Sequence, residues 1–222
     1  MKKIISSLLI CMLAVVCLFT GCSKAKGLKV KDSSGNDRVL VTDENGKPVY
    51  DEAGNIVIVD TDEKGNAKKD ENGEQATNAI ALDYLLVSGK NVYCRYFTFT
   101  QPSGYDMSAV GSAITLTKGD ETIDIIYDTE KSVDDKSADI GEVISSLKEQ
   151  GFNPEVNSET KTLCGQDAKF TEIKVSANGK EAFIASALFE RNGVTYACTY
   201  KTSKAGANTG DFESIVNSIS FR

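Results

Sequence analysis

The sequence predicts an α+β domain in the C-terminal two thirds of the chain, and three observations support this prediction. Several β-prone runs are joined by short turns such as Asn192-Gly193, a pair suited to the positive φ angles of a type I′ turn. The runs follow one another as in an antiparallel meander. Two further segments have apolar residues at helical spacing. We therefore expect an antiparallel sheet of about six to eight strands with two main helices packed on it.

The strands are predicted from apolar and β-branched runs bounded by turn residues. Ile80 to Val87 and Val92 to Thr100 form a first pair around the turn at residues 88–91. Residues 177–180 (Ala-Asn-Gly-Lys) are a second strong turn pattern. Further strands are expected at residues 113–117, 122–127, 161–163, 168–176, 181–191 and 194–200.

The helices are predicted from apolar residues at i, i+3, i+4 and i+7, within residues 140–147 and again within 212–219. Asp139 suits the first turn of the first helix, and Gly151 suits its C-terminal cap. Thr209 or Asp211 is expected to cap the second helix. One apolar face of each helix should therefore bury against the sheet.

The composition of the chain narrows its function. The 222 residues include no histidine, which excludes Ser-His-Asp and Cys-His catalysis and the HExxH metal site. The formal net charge is −7, whereas phosphate binding needs clustered basic residues. Nucleic acid is therefore not an expected partner.

The N-terminus has the layout of a secretory signal. Lys2 and Lys3 precede an uncharged run from Ile4 to Phe19, which is shorter than the about 20 apolar residues of a bilayer-spanning helix. The run ends in Leu-Phe-Thr-Gly-Cys at residues 18–22. This stretch resembles the lipobox of bacterial lipoproteins.

The lipobox resemblance implies cleavage before Cys22 and a diacylglycerol thioether on its sulfur, with acyl chains such as palmitate. Residues 1–21 are then the signal peptide. Two or more acyl chains hold a protein durably on a bilayer. We expect the mature chain to be anchored on the extracytoplasmic face of a bacterial cell membrane.

Residues 22–75 read as a tether between the anchor and the domain. A lysine-rich stretch at residues 24–31 precedes residues 32–75, which carry twelve acidic and five basic residues. The unit Asp-Glu-x-Gly recurs at residues 43, 51, 62 and 70. A string of small hairpins is one interpretation, but isolated hairpins are marginal in water. We expect a weakly ordered spacer, and its composition resembles spacers of lipoproteins from anaerobic Gram-positive bacteria.

A calcium-loop pattern overlaps the third repeat. Asp60, Asp62 and Glu71 match positions 1, 3 and 12 of an EF-hand loop, with Gly65 at position 6. Lys64 stands at position 5, where an oxygen ligand belongs. A strand-like run also precedes the loop in place of a helix, so no metal or cofactor is expected.

The order of six short segments in residues 90–222 resembles the PsbP-like fold, including the DcrB-like bacterial envelope proteins. The resemblance implies that residues 76–222 form an α/β/α-like sandwich used mainly for binding, and it supplies no catalytic motif. The segments are FTFTQPSGY (97–105), ITLTKGD (114–120), LKEQGF (147–152), CGQDA (164–168), NGVTY (192–196) and FESIVNSISF (212–221).

Two Ser-x-x-Lys pairs match a pattern of serine acyltransferases. They are Ser145 with Lys148 and Ser158 with Lys161, and no Ser-Asp-Asn or Lys-Thr-Gly motif accompanies them. We therefore assign no catalytic residue.

A ligand groove could form around Arg95 and Tyr105 in an aromatic-rich segment, although core packing is the usual role of such aromatics. Three cysteines remain in the mature domain, and we expect no obligatory disulfide among them, with Cys164 the most exposed.

The sequence therefore predicts a membrane-anchored, non-enzymatic module that binds an envelope protein or a small ligand. Two alternatives stay open. One is an envelope hydrolase or transferase that uses Ser, Lys or carboxylates, and the other is a structural surface spacer.

Overall fold

The computed structural model describes residues 24–32, 34–52, 54–80, 86–177, 180–204 and 206–222. The chain divides into two compact units, Met1–Val30 with Asp37–Ala81, and Lys31–Asn36 with Leu82–Arg222. The predicted signal peptide, Cys22 and the turn centred on residues 178–179 lie outside the described residues. Neither helix in the described part of the chain is long and apolar enough to cross a membrane.

The first unit contains short antiparallel strands in place of a weakly ordered tether. β1 (Leu28–Asp32) begins in this unit, followed by β2 (Asp37–Leu40), β3 (Ile56–Val59) and β4 (Thr77–Ile80). β3 pairs with both β2 and β4. Leu40, Ile56, Ile58 and Val59 are buried. The sheet content of the chain is therefore higher than the sequence predicted.

Five Asp-x-x-Gly turns begin at residues 32, 43, 51, 62 and 70, spaced alternately by eleven and eight residues. The last four belong to the first unit. In the turn at Asp43, the Gly46 N–H donates to the Asp43 carbonyl, and the Lys47 N–H donates to the Asp43 carboxylate. The other four turns repeat these bonds. The glycine has a positive φ in each turn, as a tight turn of this kind requires.

Backbone hydrogen bonds join successive hairpins of the first unit in closed rings. The Val41 N–H donates to the Val57 carbonyl over 2.9 Å, and the Val57 N–H donates to the Val49 carbonyl over 3.0 Å. The Val49 N–H donates to the Val41 carbonyl over 2.9 Å and closes the ring. Nineteen residues later the same ring forms among Asp60, Lys68 and Ala76. An isolated hairpin is only marginally stable in water, but here backbone N–H and C=O groups of each hairpin are hydrogen-bonded to the neighbouring hairpins.

The second unit is built on a seven-stranded antiparallel sheet with the order β11-β12-β13-β14-β10-β9-β8. Its strands are β8 (Asp106–Val110), β9 (Ala113–Lys118), β10 (Glu121–Asp128), β11 (Glu155–Leu163), β12 (Gln166–Ala177), β13 (Lys180–Arg191) and β14 (Val194–Thr202). A second set of antiparallel strands comprises β5 (Leu86–Ser88), β6 (Asn91–Tyr93), β7 (Phe97–Thr100) and β15 (Ser220–Phe221). They are ordered β15-β7-β6-β5, and Lys31 and Asp32 of β1 pair with β5.

The predicted strand from Val92 to Thr100 is wrong as a single element. β6 and β7 form a hairpin through residues 94–96, in which the Cys94 N–H donates to the Phe97 carbonyl over 2.9 Å. The break lacks glycine, proline and asparagine, so no turn residue marked it in the sequence.

The two helices of the described residues are α1 (Val133–Glu149) and α2 (Gly210–Asn217). α1 begins at a capping box in which Ser132 and Asp135 exchange hydrogen bonds. Asp139 was expected in the first turn of this helix, but it lies beyond that turn. Gly151 follows its C-terminus with a φ of +84°, as expected. Thr209 is the N-cap residue of α2.

The core of the second unit lies on one face of the seven-stranded sheet. Phe212, Ile215 and Val216 of α2 are buried in it, as predicted, together with aromatic residues such as Phe170 and Tyr196. In contrast, none of the 17 residues of α1, all of which are described, is buried. The α+β class is therefore correct, but only one helix is fully packed.

Candidate ligand-binding groove

A groove of about 250 Å³ separates α1 from the sheet face opposite the core. The helix contributes Lys136, Asp139, Ile140 and Val143, which follow i, i+3, i+4 and i+7 spacing. The sheet contributes Ile126, Ile173, Ile184, Ser186, Leu188, Ala197, Thr199 and Lys201. The surface inside the groove is mostly apolar.

The alternation of β13 explains how one strand serves both the core and the groove. Successive side chains of a strand point to opposite faces of its sheet. Ala185 and Ala187 lie in the core, whereas Ile184, Ser186 and Leu188 line the groove. An apolar stripe interrupted by one serine therefore forms the floor.

α1 lies over this floor without filling it. Val143 is 46% exposed although it lines the groove, and Ile140 is only half-buried. Ion pairs tie the helix to the sheet at Lys136–Asp128 (2.8 Å) and Asp134–Lys169 (2.6 Å). The polar contacts thus position α1 while its apolar side chains stay partly uncovered.

Ser186 is the unusual residue of the groove. Its side chain is 3% exposed, and its Oγ is the one buried side-chain N or O atom of the described residues that has no hydrogen-bond partner. Leaving a buried hydroxyl unsatisfied costs about 1–3 kcal/mol. Such a group in a folded protein needs an explanation, and a ligand in the groove would supply one.

Ser186 is the third of seven members of a polar row that crosses the sheet. Every one of the seven strands contributes one member, and adjacent members are direct cross-strand partners. In strand order the row is Ser158, Thr171, Ser186, Thr199, Asp124, Thr115 and Ser108.

Four members of the row are hydrogen-bonded in two pairs. Ser158 and Thr171 are hydrogen-bonded over 3.1 Å, and Thr115 donates to Asp124 over 2.8 Å. Ser186 lies between these two hydrogen-bonded pairs, and it differs from its neighbour Thr199 because its hydroxyl is buried whereas Thr199 is partly exposed.

The charged side chains around the groove have partners of opposite sign. Lys136 pairs with Asp128, and Lys201 pairs with Asp124 over 3.1 Å. Asp139 pairs with Lys131 over 3.5 Å. The mouth of the groove consequently carries no net charge from these pairs.

The structure does not bring the predicted groove residues Arg95 and Tyr105 into this site. The ring of Tyr105 is buried in the core, and its hydroxyl donates to Glu121 over 2.7 Å. Burial, followed by that contact, raises the pKa of Tyr105 above its ordinary value. Arg95 lies over the ring of Tyr96. Tyr105 therefore has the core-packing role that was the alternative.

The Ser-x-x-Lys residues have structural contacts. Ser145 is exposed and donates to the Gly141 carbonyl within α1. The Lys161 ammonium group lies 3.0 Å from Glu213 and over the ring of Phe170. Ser158 is the first member of the polar row and is hydrogen-bonded to Thr171.

The calcium-loop residues are divided between two of the repeated turns, because Asp62 begins one turn and Glu71 lies in the next, which begins at Asp70. The Asp62 carboxylate accepts the backbone N–H groups of Lys64 and Asn66 and the side-chain amide of Asn66. Hydrogen bonds from Asn66 are the main cause that lowers the pKa of Asp62. Across the described residues, no group of three His, Cys, Asp or Glu side chains is placed to hold a metal ion.

Cys94, Cys164 and Cys198 are free thiols. Cys94 and Cys198 are buried, and Cys164 is partly exposed, as the sequence predicted. Burial raises the pKa of Cys94 and of Cys164 to about 12. Burial also raises the pKa of Cys198, which favours the protonated thiol at all three positions.

Sequence reasoning missed Ser186, although a pattern for it exists. Positions 184, 186 and 188 alternate with core residues, and a single serine between isoleucine and leucine interrupts that stripe. The sequence does not show that α1 leaves this stripe partly uncovered.

Comparison with known proteins gives no family. No protein-family model matches the chain, and no curated protein matches it. A crystal structure from Bacteroides thetaiotaomicron is similar with 14% identity and a TM-score of 0.40, over 58% of this chain and 46% of that one. A Pseudomonas aeruginosa protein of unknown function has 11% identity and a TM-score of 0.28, over 46% of this chain and 85% of that one.

The chain spans less than half of the length of the first of these structures. At these scores neither similarity bears on function.

Proposed function

We propose that this chain is a lipid-anchored cell-envelope protein whose second unit is a non-enzymatic binding module, with the groove beneath α1 as its ligand site. The observation that carries the binding role is the unpartnered Ser186 hydroxyl on the apolar floor of that groove. Apolar clefts with a few placed polar groups are the usual form of small-molecule sites.

The anchoring proposal is supported by the lipobox-like residues 18–22 after a basic start and an uncharged run. The first unit then acts as the spacer between the bilayer and the binding module. Its ordered, repeated turns favour a structured spacer over a weakly ordered one. The PsbP-like sandwich that the sequence resembles is our proposal for the finer fold of the second unit.

A non-enzymatic role is supported by the chemistry available in the groove. A serine nucleophile needs an adjacent base. The chain has no histidine, and the lysines that line the groove, Lys136 and Lys201, are engaged by Asp128 and Asp124. Ser186 is therefore suited to hold a ligand by a hydrogen bond.

The binding site is tested with a tryptophan reporter, because the chain has no tryptophan of its own. Val143→Trp places the reporter at the groove, and Val110→Trp places an exposed control on β8, an edge strand that contributes no residue to the groove. The full chain is reconstituted in lipid vesicles and titrated with 1-octanol. We expect a saturable fluorescence change for Val143→Trp alone. Identical responses of both variants would refute the groove as a ligand site.

The anchor is tested on the native protein. Mass spectrometry of the membrane-extracted chain should find Cys22 as the first residue, carrying a diacylglycerol thioether. An intact Met1 or an unmodified sulfur would refute anchoring without affecting the groove.

A further inference from the structure

The ligand class of the groove follows from three of its properties: its volume, its single buried polar atom and its balanced mouth charges. This inference rests on the proposed function and makes it more specific. Each property excludes a group of molecules.

The volume limits the size of the ligand. A dry apolar cavity of about 150 Å³ holds benzene. The groove, at about 250 Å³, therefore accepts a single short alkyl chain or a small ring system, whereas a whole diacyl lipid would not fit within it.

The polar atom of the floor determines one functional group. A hydroxyl both donates and accepts a hydrogen bond. Ser186 Oγ therefore matches a hydroxyl, carbonyl or amide group on the ligand, and one such group is enough. The side chains that surround it in the groove include Ile173, Ile184, Leu188 and Ala197, which favour an apolar remainder.

The mouth of the groove disfavours a charged ligand. The ammonium groups of Lys136 and Lys201 are already neutralised by Asp128 and Asp124. Since burial of an unpaired charge is costly, a carboxylate or phosphate would have to break one of these pairs to gain a partner.

We infer that the groove beneath α1 binds a small uncharged amphiphile, whose apolar body lies between α1 and the sheet and whose one neutral polar group is hydrogen-bonded to Ser186. The buried hydroxyl is thus a specificity determinant that is satisfied when the ligand is present.

The experiment compares 1-octanol, octane and octanoate on the full chain in vesicles, with the Val143→Trp reporter. Ser186→Ala is added to the reporter chain, and the effect of this substitution is measured for each ligand. The comparison forms a thermodynamic cycle in which partition of each ligand into lipid cancels, because both chains are measured in the same vesicles.

We expect Ser186→Ala to weaken 1-octanol binding about two- to tenfold, the range of one neutral hydrogen bond, and to leave octane binding unchanged or tighter. Ser186→Thr, which keeps the hydroxyl, should retain the preference for the alcohol. Octanoate at pH 8 should bind at least about tenfold more weakly than 1-octanol.

The outcomes separate the two proposals. Equal effects of Ser186→Ala on 1-octanol and octane, or octanoate binding as tight as that of the alcohol, would overturn the ligand class while the groove remains a binding site. Absence of any reporter response to all three molecules would instead overturn the proposed function. Thermal unfolding of each variant confirms that the compared chains are folded.

Discussion

Lys136 Nζ on α1 lies 2.8 Å from Asp128 Oδ2 at the end of β10, and the two side chains are only 15% and 23% exposed. The backbone N–H groups of Glu130 and Lys131 donate to the other carboxylate oxygen. These contacts, the hydrogen bond from Lys136 first, hold the pKa of Asp128 well below its ordinary value. The pair therefore joins α1 to the sheet at the edge of the groove.

We expect Asp128→Asn to lower the free energy of unfolding by about 1 kcal/mol at neutral pH, the upper range for a single partly exposed ion pair. A depressed folded-state pKa gives stability that is complete above the unfolded pKa of about 3.9 and is lost as pH falls through the folded pKa. The difference between the two chains should therefore shrink below about pH 4. Urea unfolding at pH 7, 5 and 3 measures it.

The matched control is the ion pair between α1 and β12. Lys169 and Asp134 are 52% and 87% exposed, so Lys169→Gln should change stability by no more than about 0.5 kcal/mol. A deficit of Asp128→Asn that stayed constant down to pH 3 would contradict the assigned role of the carboxylate.

Elements with strong turn or cap residues were predictable from the sequence. The Asn192-Gly193 turn has φ angles of +52° and +73°, and it joins β13 to β14 as expected. α2 was likewise found from its apolar stripe, since its buried residues follow helical spacing. In these cases local residue preference and tertiary packing favour the same structure.

The start of α1 was missed because its first two turns carry no apolar stripe. The N-cap residue of the helix is Ser132, and position N3 is an aspartate, whereas the usual capping-box pattern has Glu or Gln there. Order in the first unit was missed for a different reason. The rings through Val41, Val49 and Val57 consist of backbone hydrogen bonds, which the side-chain sequence does not encode.

The candidate site was predictable only in part. The sequence locates Ser186 in an apolar stripe, but the groove depends on the distance at which α1 lies from the sheet. The helix is joined to the sheet by tertiary ion pairs such as Lys136–Asp128, whose partners no local sequence pattern connects.

Gly27 should be essential for the first unit. Its φ is +151°, and an added Cβ would overlap the carbonyl oxygen of Leu40. Gly27→Ala should therefore cost about 2 kcal/mol or more, because the backbone must move as well as adopt a strained angle. Gly46→Ala has a positive φ but open space around it, and should cost only about 1 kcal/mol. Hydrogen exchange at the Val49 amide compares the two, and equal protection would argue against the close contact.

The three free cysteines should react slowly in the folded chain. Burial raises the pKa of Cys94 and Cys164 to about 12, and the thiolate is the reactive form. Alkylation at pH 8 followed by peptide mass spectrometry should modify Cys94 and Cys198 only after denaturation, with Cys164 the first to react because it is partly exposed. Recovery of any of the three as a disulfide from the native protein would contradict the free-thiol assignment.

Ser186→Ala should stabilise the unliganded protein, although it weakens the proposed site. The wild-type hydroxyl is buried without a partner, so its removal relieves a cost of about 1 kcal/mol. Thr202 is the matched control, because its buried hydroxyl donates to Asp120 over 3.2 Å and accepts from the Lys204 N–H over 3.1 Å. Thr202→Val should destabilise by about 1 kcal/mol. Thermal unfolding without ligand decides the matter: a loss of stability in Ser186→Ala would mean that the hydroxyl already has a partner in the free protein, and its role as the ligand's hydrogen-bonding group would then fail.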